Sequence, residues 1–146
     1  MDNMPRGERE APNNVADLRD REEREPIASF LKMRLLELSP GYAKVTMKLV
    51  PEYQSFTGLI SGGMIMAVAD QAFAYASNSV TYPSLASQFN IHFITGAEVD
   101  DELTAECWVV KSGRRVGVSE VTVTNQEGKL IAKATATSIP VAKFNH

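Results

Sequence analysis

The sequence predicts an α+β domain in which an antiparallel six-stranded sheet curls around one long central helix. Three observations carry this expectation. After Gly63 the chain reads "MIMAVADQAFAYASNS", apolar on every side through most of about four helical turns. A helix of that kind in a globular protein must be surrounded. Flanking segments alternate with period two: in "YAKVTMKLV", Ala43, Val45, Met47 and Leu49 fall on one face, and Lys44, Thr46 and Lys48 on the other. One such helix among mainly sequential strands packs most simply as the filling of a curled sheet.

The elements follow in order. Residues 1–25 form a charged N-terminal arm, and residues 26–146 a single domain. Residues 1–14 have the Pro, Asn and charge content of a mobile tail. "VADLRDREERE", Val15 to Glu25, suits either a solvated arm or a short helix docked on the body or a partner. "SFLKMRLLELS" reads as the first strand, leading into the turn cluster "SPGY". Beyond the helix and "TYPS" come "LASQFNIHFIT", "ELTAECWVVKS", "RVGVSEVTVTN" and "KLIAKATATSI". "NQEGK" joins the last two as a hairpin with Gly128 at its tip. The apolar phase changes between Val118 and Val121, which suggests a bulge in the fifth strand. Met64, Met66, Phe73, Tyr75 and Trp108 are expected mostly in the core, some lining a pocket.

Composition bounds the function. The 146-residue chain carries a net charge of −3. Residues 1–25, with five Arg against eight Asp and Glu, supply all of it. No clustered basic surface remains, which argues against a nucleic-acid partner. The single Cys107 excludes an internal disulfide and suits a reducing compartment. With only His92 and His146 beside it, a protein-built metal site is not expected, nor is a cofactor. His92 reads as a sheet residue rather than a catalyst. The charged N-terminus is no secretory signal, and the apolar run at 59–76 is short for a span and interrupted by Asp70, so a cytoplasmic, membrane-free protein is expected.

Asp70 is the conspicuous residue. Between Glu52 and Glu98 it is the sole carboxylate, and between Lys48 and Lys111 there is no Lys or Arg to pair with it. An unpaired carboxylate in apolar surroundings is costly to keep, which makes Asp70 either a structural latch or a functional group, expected to be buried within its own chain. Gly62 and Gly63 begin the same helix, where amide N–H groups lack partners and carry partial positive charge. They either permit close packing or allow another group to approach that backbone.

The series Ser55, Gly58, Ser61-Gly62-Gly63, Asp70, with "ADQAFAYASNS", "SQFNIHFITGAEVDDELTAE" and "KSGRRVGVSEVTV", resembles the hotdog-fold acyl-CoA thioesterases, particularly their phenylacetyl-CoA-thioesterase-like branch. The likeness spans roughly residues 40–138. Two positions depart from it: that branch carries Asn where this chain has Ser55, and His where it has Ser61. The resemblance implies hydrolysis of a small or medium acyl-CoA thioester, aliphatic or aromatic. Asp70 would be nucleophile or general base, and the Gly62 amide would polarise the thioester carbonyl.

Asp70 lies eight residues beyond Gly62, roughly 12 Å along a helix, so no carbonyl touches both within one chain. The resemblance places the site across a homodimer interface, with dimers pairing into a homotetramer. Ser55 and Ser61 are either turn and capping serines or hydroxyls serving Asp70 or its water. Gly63 belongs to the binding surface, and Ser84 and Ser87 reach it from the side. Gly113, Arg114 and Arg115, in "KSGRR", either meet CoA phosphates or are solvated turn residues. CoA enters as part of the substrate.

Two other readings stay open. Without the family Asn and His, the chain is a weakly active or non-catalytic acyl-CoA-binding protein, or, less in keeping with Ser61, a hydratase. "LISGG" is no nucleophile elbow, so a serine hydrolase is not expected.

Overall fold

The computed structural model describes residues 13–143; residues 1–12 of the arm and His146 lie outside that range. The chain order is α1 (Asn13–Glu22), α2 (Pro26–Leu31), β1 (Arg34–Ser39), β2 (Tyr42–Lys48), a 3-10 turn (Pro51–Tyr53), α3 (Gly62–Val80), β3 (Ser84–Phe93), β4 (Glu102–Ser112), β5 (Gly117–Thr124) and β6 (Leu130–Pro140). All six strands join one antiparallel sheet in the order β1-β2-β4-β5-β6-β3. The sheet wraps α3, which lies mainly across β2, β4 and β5. The α+β architecture expected from the sequence is the one found.

The alternation in β2 does what its pattern requires. Ala43, Val45 and Met47 are fully buried, as are Leu49, Leu103, Val68 and Ile131 around them. Phe73 of α3 meets Phe89 of β3 edge-on, with ring centroids 5.6 Å apart. Each of these side chains larger than alanine contributes roughly 1.5–3 kcal/mol through loss of apolar surface to water.

Four expectations are corrected. The stretch read as the start of the first strand is helical to Leu31. Pro26 starts α2 at a position that needs no N–H, and Lys32 ends it in the left-handed region at φ 55°, its cap closed by the Met33 amide on the Ala28 carbonyl at 2.8 Å. The bulge expected in β5 sits across from it, in β4, where register shifts between Val109 and Lys111. β5 keeps one phase, with Ser119, Val121 and Val123 all inward; a buried serine had disguised the period. Trp108 is not core. It is 43% exposed on the outer sheet face against Tyr42, at 5.6 Å between centroids. Finally, α3 is longer than expected, at 19 residues, and is not surrounded. Gly63 and Asp70 are exposed, and Met66 and Ala67 between them are only half-buried. With spacings of three and four residues these side chains form one stripe that the sheet leaves uncovered.

Candidate active site

The site begins where the loop after β2 turns into α3. Gly58, at φ +84°, lets the loop fold back, and its amide donates to the Ser55 carbonyl at 3.1 Å. Ser55 Oγ accepts from the Thr57 amide at 3.2 Å and pairs with Thr57 Oγ1 at 2.6 Å, a local serine turn. Ser61 is the N-cap of α3, its Oγ accepting from the Gly63 amide at 3.3 Å. Both hydroxyls are therefore engaged locally, and within one chain neither bonds Asp70. The Gly62 amide has no acceptor among the described residues, as expected of the first helical N–H. The Phe93 ring lies over Gly62, so close that a Cβ there would sit 3.2 Å from its tip.

Asp70 lies two turns along the same stripe. Gly63, Met66, Ala67 and Asp70 of α3 face Ala86, Ser87, Gln88 and Phe89 of β3 across a groove of about 370 Å³. Ser87 is the bulged residue of β3, where pairing with β6 slips between Ala86 and Gln88; its Oγ reaches the Thr137 carbonyl at 3.4 Å. Beyond Asp70 the groove meets a larger cavity of about 590 Å³, lined chiefly by apolar groups of Leu18, Phe73, Ala74, Tyr75, Tyr82 and Leu85. Asp70 lines both spaces.

Asp70 is exposed in the single chain, correcting the expectation that its own fold would bury it. Protein nonetheless hems it in. That desolvation, and after it the nearby Glu25 carboxylate, raises its pKa above the ordinary 3.8. No hydrogen bond or ion pair reaches the Asp70 carboxylate among the described residues, whose ion pairs are Arg21–Asp17 at 3.2 Å and Lys44–Glu37 at 3.9 Å. The absence of a countercharge, legible in the sequence, persists in three dimensions. A carboxylate so placed is a stronger base than a solvated one and is free to meet a ligand.

Glu25 is the residue that sequence reading missed. Its Oε2 accepts from Tyr75 Oη at 2.5 Å and from Gln71 Nε2 at 2.8 Å. In the sequence it is one acid in a charged run, and nothing there points to α3. Burial, then the bond to Glu25, pushes the Tyr75 phenol above its ordinary range, so Tyr75 is a donor here.

The remaining candidates lie elsewhere. Gly113 and Arg114 line a separate groove of about 410 Å³ with Val80 and Thr81, at the far end of α3 from Gly62. Arg114 and Arg115 are exposed and make no ion pair among the described residues. A Cβ on Gly113 would lie 2.7 Å from the Val116 carbonyl oxygen, so this glycine is required by its turn. His92 is exposed on the outer face of the sheet, opposite Lys133. Burial pushes the Cys107 thiol up to about 12, which makes it inert. Among the described residues no group of His, Cys, Asp and Glu is suited to a metal, and no helix is long and apolar enough to cross a membrane.

A six-stranded antiparallel sheet closed around one central helix, with a glycine pair starting that helix and a lone acid two turns on, defines the hotdog class of fold. The family model of the thioesterase superfamily matches residues 57–132. The acyl-coenzyme A thioesterase PaaI of Escherichia coli is 32% identical over 110 residues, covering 75% of this chain and 79% of that protein. The structure of the E. coli PaaI protein from the phenylacetic acid degradation operon superposes with a TM-score of 0.84 at 28% identity, over 92% of this chain and 95% of that one. The smu.793 protein of Streptococcus mutans, solved bound to acetyl CoA, gives 0.73 at 28% identity over 77% and 91% of the two chains. The chain belongs to the thioesterase superfamily, in its PaaI-like branch.

Proposed function

We propose that this protein hydrolyses small or medium acyl-CoA thioesters at a site shared by two protomers, Asp70 of one facing the Gly62 amide of the other. The observation that carries this reading is Asp70 itself, unpaired and open in a groove at the foot of a cavity that can hold an acyl chain. Supporting the two-chain arrangement, Asp70 and Gly62 stand eight residues apart on one continuous helix, roughly 12 Å. The stripe between them is uncovered, and β3 ends the sheet with its outer edge unpaired. Leu59, Phe93 and Ile94 are between 43% and 55% exposed, an apolar rim for which a second copy is the natural cover.

In the reaction the thioester carbonyl oxygen lies against the Gly62 amide at the positive end of α3. The Asp70 carboxylate then follows one of two courses. As general base it takes a proton from water, whose oxygen attacks the carbonyl and expels the CoA thiolate. As nucleophile it attacks the carbonyl itself, expels the thiolate and leaves a mixed anhydride that water opens. Either course yields one carboxylic acid and one free thiol per water consumed.

The test is complementation. Asp70→Asn and Gly62→Pro protomers are each expected to be silent in free-thiol release from acyl-CoAs. Mixed and re-equilibrated at equal amounts, half the dimers are heterodimers, and each carries one intact site, so about a quarter of wild-type activity returns. No return, with mixed dimers present by native mass spectrometry, refutes the shared site. A second reading, acyl-CoA binding without turnover, draws on the local engagement of Ser55 and Ser61. Binding of acyl-CoAs with no thiol release across aliphatic and aryl groups would establish it instead.

A further inference from the structure

The N-terminal arm is held on the body in an unusual way. Along α1 and the link to α2, Leu18 is the one buried apolar side chain among the described residues, with Val15 half-buried against the core. The remaining attachments are polar. The Leu35 amide donates to Glu22 Oε1 at 3.0 Å, Arg21 Nη1 donates to Tyr82 Oη at 2.6 Å with its guanidinium 5.3 Å from that ring's centre, and Gln71 and Tyr75 donate to Glu25. The last pair binds the arm to α3 itself, at the residue after Asp70 and one turn beyond. Leu18, Arg21 and Glu25 form one side of the 590 Å³ cavity whose other side is Asp70, Phe73, Ala74 and Tyr75.

We propose that Glu25 is a specificity-determining residue: by latching the arm to Gln71 and Tyr75 it closes the cavity beyond Asp70, which thereby takes the distal carbons of a medium-length acyl chain. The inference rests on the thioesterase reading above and adds the part of the acyl group that this chain selects. Three features support it. The cavity is of a size that encloses small ligands and its lining is mainly apolar. The latch is made of hydrogen bonds from neutral donors to a carboxylate, stronger than neutral pairs and each from a side chain already fixed on α3. And Glu25 has no cation paired to it among the described residues, so its negative charge stays felt at Asp70. The other charged or titratable groups facing this cluster are Arg21 and Glu22 from α1 and the phenols of Tyr75 and Tyr82; the facing residues of β3 are uncharged.

Two full-length variants separate the roles. In Glu25→Ala the latch is gone. KM for octanoyl-CoA is expected to rise about tenfold, the worth of roughly two buried methylenes, and that for acetyl-CoA by less than twofold. Glu25→Gln keeps an acceptor for Tyr75 and Gln71 while losing the charge. It is expected to hold the chain-length preference within about twofold and to move the acid limb of kcat/KM to lower pH, a shift that a merely structural role would not produce. Calorimetric binding of the thioethers S-octyl-CoA and S-ethyl-CoA reads the same preference without turnover. An unchanged octyl-to-ethyl ratio in Glu25→Ala overturns the latch while leaving the thioesterase intact. Selective octyl binding lost in Glu25→Ala, in a protein that releases no thiol, supports the latch and overturns the catalytic reading. Wild-type protein that binds neither thioether overturns both.

Discussion

Replacing Gly62 by Pro removes one atom group from the protein, the amide hydrogen proposed to hold the thioester oxygen. The position tolerates it. Gly62 is the first helical residue after the Ser61 cap, the place where Pro is favoured, and Ser61 at φ −59° and ψ 135° already has the extended backbone that a following Pro demands. No hydrogen bond is lost, because the Gly62 amide has no acceptor among the described residues. The new ring meets Phe93, whose tip lies 3.2 Å from a Cβ, so the end of that side chain must give by only a few tenths of an ångström. Lower entropy of the unfolded chain gives back about 0.4–1 kcal/mol, so stability should change by less than about 1 kcal/mol. Catalysis should not survive so well. Loss of one oxyanion donor costs about 10²–10³ in kcat, or about 2.7–4 kcal/mol. The assay is thiol release under saturating acyl-CoA, with a thermal melt on the same sample. A variant that melts as wild type yet keeps kcat within threefold would refute the role given to this amide.

Other consequences follow from the same geometry. Asp70→Asn should lower kcat by about 10²–10⁴ and, in the opposite direction, raise Tm at pH 7. Because the folded pKa of Asp70 is raised, the native state binds more protons than the unfolded state between the ordinary 3.8 and the raised value. Stability thus falls as pH rises through that window, and the full penalty that the variant relieves is present above it. Melts at pH 7 and pH 3 should show the gain at the former only, and a Tm drop at pH 7 would contradict the desolvation argument. Wild-type kcat/KM should fall on the acid side with a limb above the ordinary aspartate value, read from a pH–rate profile. Ser61→Ala should cost about 0.5–1 kcal/mol, the lower part of the range for a helix cap because the bond is long at 3.3 Å, as measured by urea unfolding. Cys107 should resist iodoacetamide in the native protein at about pH 8 and react fully in denaturant, since burial holds its thiol up at about 12.

Much of this molecule is legible in its sequence, because the relevant forces are local or periodic. Alternation in "YAKVTMKLV" assigns β2 and its inner face, since side chains in a strand point to opposite sides. Gly128 marks the last hairpin by the positive φ it can reach, 77°. Asp70 stands out because charge composition alone leaves it without a partner for dozens of residues. Where a signal was mixed, the reading failed: the serine at position 119 broke an apolar period and displaced a bulge into the wrong strand. Tertiary structure decided what depends on residues distant in sequence. It alone put the bulge of β3 at Ser87, carried Gly113 and Arg114 to the other end of α3, and left one stripe of an apolar helix uncovered. Above all it joined Glu25 to Gln71 and Tyr75 across separations of 46 and 50 residues. An acid within a charged run carries no mark of which distant donors it will meet, because such a bond is set by how the arm packs on α3, not by any local preference of the chain.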